Sequence, residues 1–222
     1  LPLHENVKSE DGGSSAKAIS SGNRTFLVRY AIHLENGYMT EYHRLAPDET
    51  VPEGFAAWYL YREFSGDNAW FNDQAYVDTL NPKAINKFIE ITHEAYYREF
   101  GDSFGDTIPS IFTDEPQFCH KSTLGFADGK EKVILPYTDD FNDTYKNAYG
   151  SDFFDTFPEC IWELPGGQVS ANRYHYHDHI CERFANAFAD NVGAWCRSHG
   201  IALTGHMMEE PTLAWQTAAL GE

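Results

Sequence analysis

The sequence predicts an α/β fold: a partial (β/α)8 barrel of the TIM type, preceded by a β-hairpin region. A period-two stretch around an Asn-Gly pair marks the hairpin, and two long stretches with apolar residues every three or four positions mark helices. Two short apolar runs each end abruptly in acidic residues. Strand, helix and strand with carboxylates after each strand is the grammar of a parallel sheet, whose ligands bind at the C-terminal strand ends.

Taken in order, residues 1–24 carry Gly12-Gly13-Ser14-Ser15 and Ser20-Ser21-Gly22 and read as a polar tail or strap. From Thr25, Phe26, Val28, Tyr30 and Ile32 alternate with their neighbours; Asn36-Gly37 supplies a type I′ turn, and Tyr38, Thr40 and Tyr42 resume the alternation. Phe55 to Tyr61 is a further strand-like aromatic run, closing a hairpin region over residues 25–63. Residues 64–222 are then assigned to the barrel portion.

Within it, Asn81 caps and Pro82 opens a helix whose stripe runs through Ile85, Phe88, Ile89, Thr92, Tyr96 and Phe100 to Gly101. Ile108 to Thr113 reads as a buried strand stopping at Asp114-Glu115-Pro116. Residues 117–170 form an acidic excursion with a short helix near residues 139–149. A second long helix aligns Ile180, Phe184, Phe188, Val192 and Trp195 and ends at Ser198-His199-Gly200. The strand Ile201 to Gly205 leads to His206 and to Glu209-Glu210-Pro211.

Sixteen basic against 34 acidic residues give a formal charge of −18. That charge repels phosphate backbones, so nucleic acid is excluded as a partner. No apolar run reaches the ~18 residues of a membrane span. Neither GxGxxG nor GxxxxGK[ST] follows a strand, which removes the dinucleotide and P-loop classes. The four cysteines lack CxxC spacing and read as unpaired core thiols.

The chemistry points to the two strand ends. Glycoside hydrolysis needs two carboxylates flanking one bond, and Glu115 with Glu209 or Glu210 meets that need, Glu210 being preferred because it precedes a proline as Glu115 does. Among Phe112 and Phe118, Glu115 would lose hydration and favour its protonated form, the general acid. Asp114 and His206 are candidate substrate contacts beside it. Asp78, just ahead of the helix cap, would bond a sugar hydroxyl or reinforce the cap, and Trp58, Tyr61, Trp70, Phe71 and Trp162 are candidates for stacking on a sugar ring or for the core.

His175, His177 and His179 suggest a metal, but residues two apart on a helix face nearly opposite ways, so no zinc site is assigned. No cofactor is expected; calcium stays open, with Asp114 and Asp78 as hard oxygen ligands. Two other readings remain open: a carbohydrate-binding protein without turnover, and a metal-dependent hydrolase using His206 and nearby acids.

The runs Tyr76 to Pro82, Phe88 to Glu94, Ile111 to Pro116, and Leu203 to His206 with Glu209-Glu210 resemble the catalytic region of bacterial alpha-L-rhamnosidase-like enzymes, glycoside hydrolase family 106. The resemblance covers about residues 55–215. It implies a (β/α)8 catalytic barrel acting on plant or microbial glycans, inverting, with calcium as a candidate ion. A full barrel takes ~250 residues, so the chain is expected to belong to a larger polypeptide with a carbohydrate substrate.

Overall fold

The computed structural model describes residues 3–9, 24–119 and 121–207. In chain order the strands are β1 (Leu3–Ser9), β2 (Arg24–Glu35), β3 (Tyr38–Leu45), β4 (Ala56–Phe64), β5 (Ser110–Asp114), β6 (Val133–Tyr137) and β7 (Ala202–His206). The helices are α1 (Pro82–Ile91), α2 (His93–Phe100), α3 (Phe141–Tyr149), α4 (Phe153–Thr156), α5 (Ala171–Phe184) and α6 (Asn191–Ser198), with a π-helical segment (Ala185–Asp190) between the last two. The fold is mixed α/β, in two compact units. Of the described residues, one holds 3–9, 24–66, 119 and 121–177; the other holds 67–118 and 178–207. Among the described residues no helix is long and apolar enough to cross a membrane.

The first unit is built on an antiparallel sheet in the order β3-β2-β4-β1-β6. The predicted hairpin is β2–β3, and Asn36 and Gly37 take φ of 51° and 84°, the positive pair that a type I′ turn requires. The aromatic run is β4, buried on both faces: Tyr59 and Tyr61 pack with Phe26 on one, while Trp58 meets Trp162 edge-on at 4.6 Å. Residues 119–177 are not an excursion from the α/β portion, as the sequence suggested. They supply β6, which pairs with β1, and the aromatic layer of Phe141, Tyr145, Phe153 and Tyr176. Leu3–Ser9 likewise forms a strand within the segment read as a tail.

The second unit carries the parallel pair. β5 and β7 align Ser110 with Ala202 through Asp114 with His206. Against them lies a core of Ile85, Ile89, Phe188, Val192, Cys196 and Ile201, with Ile111 and Leu203 contributed by the strands. Each such side chain stabilises the unit by about 1.5–3 kcal/mol when fully buried.

Both long helices depart from their predicted continuity. Asn81 caps α1, its side chain accepting the Lys83 N–H at 3.0 Å, with Pro82 in the first turn. At Thr92 the hydroxyl bonds back to the Phe88 carbonyl at 2.6 Å, a contact that bends helices, and α2 starts afresh at His93. The expected stripe therefore fails in α2: Tyr96 and Phe100 are exposed. The second helix is interrupted by the π segment, whose extra residue per turn resets its buried face.

Candidate functional site

At the C-terminal end of the parallel pair, Asp114 and His206 occupy the last register position. Their side chains meet, His206 Nδ1 lying 3.2 Å from Asp114 Oδ1. The His206 ring also stands edge-on to Phe112, with centroids 5.0 Å apart. This proximity follows from backbone geometry: residues directly opposite in a ladder bring their side chains to the same face.

Glu115, one residue on, leaves the strand. Its N–H still donates to the His206 carbonyl at 3.2 Å, but its φ is 45°, a left-handed value that a non-glycine residue adopts only when its surroundings hold it there. Such strain costs on the order of 1–3 kcal/mol and concentrates at functional sites. Two residues earlier, opposite Thr113, Gly205 leaves room that no other residue could: a Cβ there would overlap the Thr113 carbonyl oxygen. Close approach of β7 to β5 thus depends on that glycine, and the Asp114–His206 contact depends on the approach.

A cleft of about 320 Å³ opens beside this strand end. Its wall is mainly apolar and includes Phe184, Phe188, Leu203, Pro116, His206 and Met207. Ala185, Phe188 and Ala189 of the π segment line it directly, so the helical irregularity shapes the cleft. Its volume sits at the lower end of the ~300–1,000 Å³ of small-molecule sites.

Several sequence expectations are corrected here. Glu115 is exposed, not sheltered among aromatics: Phe118 turns inward and Phe112 is itself 56% exposed. It is Asp114, not Glu115, that contacts His206. Trp58 is 3% exposed and belongs to the core of the first unit, as do Tyr61 and Trp162, so none of the three offers a face to a ligand. Asp78 does not follow a strand. It sits buried in the loop before α1, where its carboxylate accepts the Leu80 N–H at 3.0 Å. Glu209 and Glu210 lie outside the described residues.

The histidine run on α5 divides between environments. His175 stacks on Tyr149 with centroids 4.4 Å apart. His177 accepts from the Lys121 ammonium at 3.0 Å, and burial, with Lys121 and Arg173 nearby, pushes its pKa down to about 4. A cation at that distance repels a metal ion. Among the described residues no group of three His, Cys, Asp or Glu side chains is placed to hold one.

Sequence reasoning missed a hydrogen-bonded hub in the first unit. The Glu159 carboxylate accepts from Tyr42 at 2.7 Å, Ser170 at 2.5 Å and Asn172 at 3.0 Å. Burial alone would raise its pKa, but these bonds and the Arg173 charge outweigh burial and hold it below the usual carboxylate range. The same bond, with burial, pushes the Tyr42 hydroxyl up. No periodicity could reveal it, because Tyr42 lies 117 residues from Glu159 in the chain. The chain matches no protein-family model, no curated protein and no solved structure.

Proposed function

We propose that the chain is the catalytic region of a glycoside hydrolase, part of a (β/α)8 barrel, with Glu115 as the general acid. An alpha-L-rhamnoside is the substrate class the sequence resemblance favours. The observation carrying this reading is the strained Glu115 at the end of a parallel strand, beside the Asp114–His206 contact and an open cleft. A carboxylate at a strand end beside a sugar-sized cleft can protonate a departing glycosidic oxygen. His206, oriented by Asp114, is assigned to a sugar hydroxyl. Glu209 or Glu210 is assigned the opposing base. The parallel pairing of β5 and β7, whose connection runs through β6, α3 and α4 and returns along α5, the π segment and α6, supports the barrel part of the proposal.

The test is Glu115→Gln in the intact protein, assayed on aryl alpha-L-rhamnosides of graded leaving-group ability. The expected result is a fall in kcat of ~10²-fold or more on the poorest leaving group and a much smaller fall on the best, since only a poor leaving group needs a proton. An equal effect on all substrates, or none, removes Glu115 from the acid role. The exposure of Glu115 favours one second reading, a carbohydrate-binding groove without turnover; binding with no hydrolysis by the wild-type protein would select it.

A further inference from the structure

We propose that the loop of residues 67–76, whose last residue contacts the segment following Glu115, is a carbohydrate-binding platform that seats a sugar ring on the indole face of Trp70. The inference rests on the glycan reading above and extends it with a subsite.

Trp70 is 87% exposed, on a loop that is far from slack. The Asn68 N–H donates to the Gln74 carbonyl, and the N–H groups of Phe71 and Asp73 both donate to the Asn68 carbonyl, at 2.9 and 3.0 Å. The Asn68 side chain accepts the Trp70 N–H at 2.9 Å. Asn72 and Asp73 are consecutive non-glycine residues with φ of 57° and 54°. Left-handed residues rarely follow one another outside tight turns. Their effect is to close the loop into a knot that displays an indole to water, although Trp is among the side chains that gain most from burial. A ligand for that indole gives the arrangement a function.

The platform is fixed to the candidate acid. Phe71 packs against Tyr76 with centroids 4.9 Å apart, and the Tyr76 hydroxyl accepts the Gln117 N–H at 3.4 Å. The Thr79 hydroxyl donates to the Gln117 carbonyl at 2.7 Å. Gln117 is two residues beyond Glu115, so both sides of its peptide backbone tie the strand end to the segment that carries Trp70.

The surroundings select the ligand chemistry. Asp67, Asn68, Asn72, Asp73 and Gln74 are all exposed on the same short loop as the indole, so an apolar ring face is displayed on a loop rich in carboxylates and amides. A pyranose has the complementary form, an apolar C–H face edged by hydroxyls. A nucleic acid base would also stack, but Asp67, Asp73 and the charge of −18 repel its phosphates. An apolar protein partner would meet only a single indole among polar side chains, far less than the extended apolar centre of a protein interface.

The experiment is affinity electrophoresis of the intact protein through gels containing rhamnogalacturonan, with dextran as the control polymer, in the Glu115→Gln background so that the polymer is not consumed. Rhamnogalacturonan is expected to retard the protein, Trp70→Ala to weaken binding by about fivefold to tenfold, the scale of one aromatic stacking contact, and Trp70→Phe to recover most of it. Melting curves confirm that each variant is folded. Equal retardation of Trp70→Ala and its parent, no retardation of the parent, or a change in oligomeric state on removing Trp70 would each overturn the platform. Trp70-dependent retardation without hydrolysis by the wild type leaves the platform standing and rejects the glycosidase. Hydrolysis that responds to Glu115→Gln, with binding indifferent to Trp70, rejects the platform alone.

Discussion

His206 Nδ1 lies 3.2 Å from Asp114 Oδ1 across the last register position of a parallel strand pair, although 91 residues separate them in the chain. The side chains are 51% and 76% exposed. A contact that wet contributes at most about 1 kcal/mol to stability, so its value lies in orienting the imidazole.

His206→Ala and Asp114→Asn should therefore leave the urea midpoint nearly unchanged while each lowers kcat/KM on an aryl rhamnoside by about tenfold or more through lost orientation. The double variant should be no worse than the single ones, because both remove one contact. Additive losses would show that the two residues act separately.

Gly205→Ala is expected to destabilise the second unit by about 1–3 kcal/mol, the usual cost of overpacking, since the new methyl collides with the Thr113 carbonyl and pushes β7 from β5. Chemical denaturation measures the loss. Wild-type stability in this variant would mean that the strands are not held as closely as described.

Acid should weaken the fold in two steps. Burial lowers the pKa of His93 below 6.5; burial, with Lys121 and Arg173, brings that of His177 from 6.5 down to about 4. A histidine kept neutral when folded but free to protonate when unfolded contributes stability that is intact above about pH 6.5 and falls progressively toward pH 4. Melting temperature should decline over that window, and His177→Gln should flatten the decline. The Glu159 carboxylate, held below 4.5 in the fold, adds a second loss at lower pH. An unaltered slope in His177→Gln would mean that this side chain is charged in the native state.

Glu159→Ala should cost more than most surface changes, about 1–3 kcal/mol, because it leaves the Tyr42, Ser170 and Asn172 donors without their acceptor. Glu159→Gln should recover part of this. Urea titration separates the two variants, and equal midpoints for all three proteins would remove the hub from the first unit's stability.

Local signals were legible in the sequence because they act within a few residues. Asn36-Gly37 sets its own turn, Asn81-Pro82 starts its own helix, and the apolar runs before Asp114 and His206 form strands. The sequence also marked Asp114, Glu115 and His206 as a group, through the acids that follow each strand. What it could not contain is pairing across long separations: β1 between β4 and β6, the return of residues 119–177 to the first unit, and the burial of Trp58 against Trp162. Nor did periodicity register the break at Thr92 or the π segment, since one hydroxyl and one added residue change a helix without altering its composition. Tertiary packing alone turned Asp114 toward His206, left Glu115 strained and exposed, and kept Trp70 outside the core. Burial is a property of what the rest of the chain places beside a residue, and the residue's own neighbours in sequence carry no record of that.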